Sequence, residues 1–170
     1  MLSCLVGSEM CIRDRPFRSV TDVPMIWSDP LSRKGRVTNA LASTIDISAS
    51  ILERAGLAPY NGMQGSSFMP VIMGSDQHHQ SLLCEYNDNG ARLGFNRPAR
   101  VRGIRTDRWR FTIYQGEPWG ELYDLESDPR ETNNLWDSAK HKEIRAELTL
   151  QLAHMLTGQM DESPISRLLA

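Results

Sequence analysis

Between Arg100 and Leu135 apolar and polar residues alternate in short runs that predict three strands. Val101 and Ile104 mark the first strand; Trp109, Phe111 and Ile113 share one face of the second; Glu121 to Leu125 forms a shorter third. A period of two carried by β-branched and aromatic residues belongs to a half-buried antiparallel sheet. Thr106-Asp107 and Gly116-Glu117-Pro118 supply the turn chemistry between the runs. After this stretch the period changes. From Lys140 to Leu156, Ile144, Leu148, Leu152, Met155 and Leu156 form one apolar stripe, while Lys142, Glu143, Arg145 and Glu147 point elsewhere. That is the pattern of a helix laid on the sheet, with Asp137 or Ser138 as its cap and Gly158 at its end.

Upstream, Asp22 to Asp29 is a short apolar run holding Pro24, suited to the start of a strand or to an edge strand. Asp46 is placed as the N-cap of a helix whose Ile47, Ile51, Leu52 and Ala55 share a face, with Gly56 as its C′ residue. Strand, loop and helix together read as half of an α/β unit. Ser66 to Ile72 predicts one helical turn interrupted at Pro70, Gly74 to Gln80 a polar loop, Ser81 to Tyr86 a strand, and Asn87 to Arg97 a long loop. The fold class is therefore α/β, and α+β in its C-terminal part. Residues 16–80 read as the tail of a larger α/β domain, 81–158 as a small antiparallel sheet with its helix, and 159–170 as a tail. Residues 1–15 read as non-native, because the run LVGSEMCIRDR from Leu5 to Arg15 resembles the translation of a sequencing-library adapter. On that reading Cys84 is the one native cysteine, which leaves no partner for a disulfide.

Charge and chemistry narrow this picture mainly by exclusion. A net charge of −2 gives no electrostatic case for nucleic acid or an anionic membrane surface. No apolar run approaches the roughly 18 residues that span a bilayer. His78 and His79 are adjacent, and adjacent side chains on a strand point apart, so the pair reads as part of a solvated loop rather than as metal ligands. Cys84 has no cationic neighbour in sequence and reads as a buried small hydrophobe. Glu121 and Asp124 read as surface charge. Gly-rich phosphate loops, G-x-S-x-G and H-E-x-x-H are all absent from the sequence. The chain itself is thus assigned no catalytic residue, no metal ligand and no cofactor.

The order of several short motifs resembles the C-terminal part of sulfatases of the alkaline phosphatase superfamily. The carrying residues are Arg105-Thr106-Asp107-Arg108-Trp109-Arg110, Glu121-Leu122-Tyr123-Asp124-Leu125, Asp128-Pro129, Glu131 and Asn134-Leu135. Val23-Pro24-Met25-Ile26-Trp27, Ser43-Thr44-Ile45-Asp46-Ile47, Leu52-Glu53-Arg54-Ala55-Gly56-Leu57 and Gly65-Ser66-Ser67-Phe68 agree upstream. The resemblance implies a parent enzyme that hydrolyses aryl or carbohydrate sulfate esters with a formylglycine nucleophile and calcium. The nucleophile comes from a C/S-x-P-x-R motif, which this chain lacks: Ser28-Asp29-Pro30-Leu31-Ser32 has serine where arginine belongs. The chain alone is expected to be inactive and to need the missing N-terminal catalytic part. The resemblance also sets the C-terminal subdomain at the mouth of the active-site cleft. Glu85, Asn87, Arg92, Asn96 and Arg97, clustered at a strand end and in the loop after it, are the candidates for a sulfated glycan or small molecule. The same residues also fit a solvated loop. A phosphatase or phosphonate monoester hydrolase of the same superfamily, or a non-catalytic module, are the other readings. A cytoplasmic or a periplasmic home fits equally.

Overall fold

The computed structural model describes residues 18–30, 35–91 and 95–159, with the side chains of Arg18 and Ser19 outside the description. The expectations for residues 1–15, for Arg92 and for nearly all of the tail after 158 lie outside the described residues. The elements run α1 (Arg18–Thr21), α2 (Asp46–Arg54), α3 (Met69–Ile72), β1 (Ser81–Ala91), β2 (Pro98–Thr106), β3 (Trp109–Tyr114), β4 (Gly120–Asp124), a 3-10 turn (Ala139–His141) and α4 (Lys142–Gly158). Two compact units divide the chain: residues 1–26 with 83–152, and residues 27–82 with 153–170.

The first unit is built on a four-stranded sheet in the order β1-β2-β3-β4. β2 and β3 pair antiparallel from Val101 opposite Tyr114 to Arg105 opposite Arg110. β3 and β4 pair from Trp109 opposite Asp124 to Ile113 opposite Gly120. The first hairpin closes on Thr106, whose hydroxyl accepts the Trp109 N–H at 2.8 Å. This register lines Ile104, Phe111 and Leu122 in one row across three strands, and all three are fully buried. Trp136 stacks on Phe111 at 5.7 Å. Arg145 of α4 lies over the Trp136 ring and donates to its carbonyl at 2.6 Å. Leu148 and Leu152 of the predicted stripe are buried, whereas Leu156 is exposed. The helix begins at Lys142 behind the 3-10 turn, and the Ser138 hydroxyl meets His141 Nδ1 at 2.8 Å instead of capping a backbone N–H.

The expectation of a half-buried sheet does not hold for β3 and β4. The face opposite Phe111 carries Arg110, Thr112, Tyr114, Glu121 and Tyr123, and each is buried. Glu121 and Asp124 are likewise not surface charges, because arginines pull them in. Arg110 donates to Glu121 at 2.9 Å and to Glu131 at 2.6 Å, and all three side chains are below 5% exposed. Glu121 also accepts the Tyr114 hydroxyl at 3.0 Å. Asp124 is gripped by Arg108 through two bonds of 3.0 and 2.8 Å. Glu131 holds φ 56, a left-handed conformation that non-glycine residues seldom adopt. Asp128 closes the loop around it by accepting the Thr132 and Asn133 N–H groups at 2.7 and 2.8 Å. Asn134 then borders β4 like a short strand. Its carbonyl accepts Leu122 N–H and its amide donates to the Gly120 carbonyl, both at 3.0 Å. Both bonds run between the Asn134 side chain and the backbone of β4.

Two further expectations change. β1 continues through Asn87 to Ala91 where a loop was expected; backbone pairing to β2 overrides the turn preference of Asn and Gly. Asp22 to Asp29 forms no strand, and Val23 and Ile26 are 61% and 93% exposed. A strand needs a ladder partner, and Pro24 removes one donor besides.

In the second unit α2 starts one position earlier than expected. Ile45 is the N-cap and Asp46 is the first helical residue. The buried side of α2 is Asp46, Ala49 and Ser50, while Ile51 is 52% exposed. Gly56 ends the helix at φ +71, with Leu57 N–H bonded to the Leu52 carbonyl and Gly56 N–H to that of Glu53. These two bonds form a Schellman motif, which glycine permits at no steric cost. Pro70 does not interrupt α3 but opens it, at a position whose N–H has no helical acceptor.

Candidate functional site

The Gly65-Ser66-Ser67-Phe68 segment packs directly against the N-terminus of α2. A Cβ on Gly65 would collide with the Ile45 carbonyl, so only glycine lets the backbone approach this closely. That approach delivers the Ser66 N–H to Asp46 Oδ1 at 2.9 Å. Two residues on, the Phe68 N–H reaches the buried Ser50 hydroxyl at 2.9 Å. The Phe68 ring is buried and meets Trp27 edge-on at 5.0 Å and His78 at 6.4 Å. The Asp46 carboxylate folds back to accept the Ser43 N–H at 2.7 Å.

His78 and His79 converge on this carboxylate. His79 Nε2 donates to Asp46 Oδ2 at 2.9 Å, and His78 Nε2 lies 3.3 Å from the same oxygen. The rings are 4.0 Å apart. The Asp46 side chain is fully buried, that of His78 is 8% exposed and that of His79 28%. Burial pushes the Asp46 carboxyl up, but the Ser43 and Ser66 amides and His79 outweigh it, so its pKa falls below the usual carboxylate range. The solvated-loop reading of the pair is therefore wrong. Its premise was strand alternation, whereas His78 lies in a bend and His79 makes a single bridge to Leu41.

Of the five predicted binding residues, the four described ones do not share one set of partners. Glu85 and Asn87 of β1 meet on Arg102 of β2, at 2.7 Å to its Nε and 2.9 Å to its Nη1. Arg97 is paired with Glu117 at 3.2 Å. Asn96 is exposed, and Arg92 lies outside the described residues. Arg102 escaped the sequence reading because its partners are set by strand pairing, not by spacing. Cys84 is partly buried, and burial pushes its thiol pKa up, in keeping with an inert side chain.

A family model described as N-sulphoglucosamine sulphohydrolase, C-terminal, matches residues 16–158. This chain belongs to that family. The motifs that resembled sulfatases thus have their explanation, and the small antiparallel sheet with its C-terminal helix is the sulfatase-type mixed α/β fold at its C-terminal end. The Δ4,5-hexuronate-2-O-sulfatase of Bacteroides thetaiotaomicron is 28% identical over 151 residues, which cover 86% of this chain and 31% of that relative. The N-acetylglucosamine-6-O-sulfatase of the same organism is 26% identical over 150 residues, covering 84% of this chain and 26% of its own length. Among solved structures, the phosphonate monoester hydrolase of Silicibacter pomeroyi matches with a TM-score of 0.69 at 21% identity, over 80% of this chain and 29% of that one. That likeness concerns the fold alone. The chain spans under a third of the length of these relatives. No helix among the described residues is long and apolar enough to cross a membrane.

Proposed function

We propose that this chain is the C-terminal part of a sulfatase that hydrolyses sulfate esters of carbohydrates. The family match over residues 16–158 carries the reading, and the names of the two sulfatase relatives, both acting on sugar sulfates, support the substrate class. The parent enzyme uses a formylglycine nucleophile and calcium. Neither fits the residues present here. Calcium takes about six to eight oxygen ligands, whereas the metal-type trio among the described residues offers two imidazoles and one carboxylate. No C/S-x-P-x-R motif occurs in the sequence. No catalytic step is therefore assigned to this chain, and alone it is inactive.

Its contribution is to substrate selection. Arg97, with half its side chain exposed, and Arg102, held by Glu85 and Asn87, are the guanidinium groups that suit a sulfated or carboxylated sugar. In the full-length enzyme Arg97→Ala is expected to raise KM for an anionic substrate severalfold with little change in kcat; an unchanged KM removes Arg97 from the site. Reading the genomic DNA upstream of the Pro16 codon tests the larger proposal. An in-frame C/S-x-P-x-R motif is the expected result, and an in-frame stop codon close upstream overturns it. The fold likeness to a phosphonate monoester hydrolase keeps a second reading, hydrolysis of phosphonate or phosphate monoesters. Assaying the full-length enzyme on matched sulfate and phosphonate esters separates the two.

A further inference from the structure

Asp46, His78 and His79 offer a different chemistry, independent of the sulfatase reading. Their ligand atoms lie within 4.8 Å of one another. Oδ2 of Asp46 is 2.9 Å from His79 Nε2 and 3.3 Å from His78 Nε2. Ligands at zinc's bond lengths, arranged tetrahedrally, sit about 3.3 Å apart, so small side-chain adjustments close this trio around one ion. A second observation points into the same space. The His78 side chain is more than nine-tenths buried, yet its Nε2 makes no hydrogen bond. Buried polar atoms without a partner are uncommon and call for an explanation.

We propose that Asp46, His78 and His79 bind a late first-row divalent ion, zinc(II) foremost, with one coordination position left open beside Ser66. The donor set decides the class, since two imidazoles and one carboxylate suit zinc and its neighbours and not calcium or magnesium. The carboxylate is already held in place: the Ser43 and Ser66 N–H groups fix both its oxygens, as the outer partners of a metal ligand do. His79 is 28% exposed and provides the entry path. The Ser66 hydroxyl, 3.4 Å from His79 Nε2, stands where it can ligate or hold a water. On binding, the Nε2 proton that His79 now shares with Asp46 gives way to the ion and leaves to solvent or moves to Nδ1. The ion would tie the start of α2 to the turn at residues 78–79.

The test uses the full 170-residue chain, stripped with a chelator and titrated with zinc chloride by calorimetry and with cobalt(II) chloride by visible absorbance. The expected result is one site per chain filled at micromolar zinc, a cobalt spectrum without a thiolate charge-transfer band, and a higher Tm with zinc. His78→Ala and His79→Ala are each expected to weaken binding at least about tenfold, while His154→Ala and replacement of all three cysteines by serine leave it unchanged. Asp46→Asn also releases one of the two backbone amides, because the side-chain nitrogen cannot accept, and can unfold the segment, so the histidine variants decide the question, with H78Q and H79Q in their place if the alanine forms lose their circular dichroism. A folded chain that takes up no zinc at micromolar concentration overturns the proposal. Histidine variants that bind within twofold of the parent overturn it equally.

Discussion

Each unit of this molecule buries carboxylates, and the two answer them differently. In the sheet unit Glu121 and Glu131 meet one guanidinium, Arg110, with all three side chains below 5% exposed. In the unit spanning residues 27–82, the fully buried Asp46 meets two backbone amides and two imidazoles. A guanidinium keeps its charge at every accessible pH and its fork geometry is fixed. An imidazole can be charged, neutral or coordinated to a metal. The first arrangement is permanent architecture, whereas the second can exchange its proton for another ligand. Burial alone says nothing about function; the identity of the answering group does.

The largest expected effect breaks the first arrangement. Arg110→Ala leaves two carboxylates buried without their cation and is expected to cost about 3–5 kcal/mol in chemical denaturation. The triple change Arg110→Met, Glu121→Gln and Glu131→Gln removes the charges together and should recover most of that loss. If the triple variant is as unstable as the single one, the cost comes from packing, such as the Arg110 contact with the Tyr123 ring at 4.5 Å, and not from unpaired charge.

A smaller effect probes the second arrangement through its backbone. Gly65→Ala forces a methyl against the Ile45 carbonyl, and such overpacking costs about 1–3 kcal/mol. The same displacement withdraws the Ser66 N–H from Asp46. Zinc affinity in this variant should therefore fall together with stability. If stability falls and zinc uptake does not, the carboxylate is held by Ser43 alone.

The sequence carried the local parts of this structure and missed the parts that depend on distant pairing. Alternation around Phe111 placed β2 to β4 even though both faces of β3 are buried, and the stripe through Leu148 and Leu152 placed α4, because period and burial coincide there. Gly56 was legible as a helix end because only a left-handed residue closes that motif. The charges were not legible. Arg110 finds Glu121 and Glu131 at separations of 11 and 21 residues, which no local pattern encodes. His79 reaches Asp46 across 33 residues, through a glycine approach that spacing does not reveal. The predicted binding set suffered likewise: Glu85 and Asn87 were named, but the Arg102 that joins them lies on the neighbouring strand.

The smallest expected effect asks whether burial or ion pairing sets these magnitudes. Asp124 and Arg108 repeat the carboxylate–guanidinium pair at the rim of the sheet unit, with Arg108 54% exposed. The side-chain hydrogen bond from Arg108, aided by the Glu126 N–H and opposed by burial, holds the Asp124 carboxyl below its ordinary range. A folded-state pKa below the unfolded value of about 3.9 means that the pair stabilises the fold above that pH. The contribution is lost as pH falls through the folded value. Asp124→Asn should therefore lower the denaturation midpoint slightly at neutral pH, and the gap to the parent should close as pH drops below about 4. Because water screens the exposed guanidinium, the gap should be far smaller than that of Arg110→Ala. Equal losses in the two variants would mean that pairing, independent of burial, sets the magnitude at both guanidinium pairs of the sheet unit.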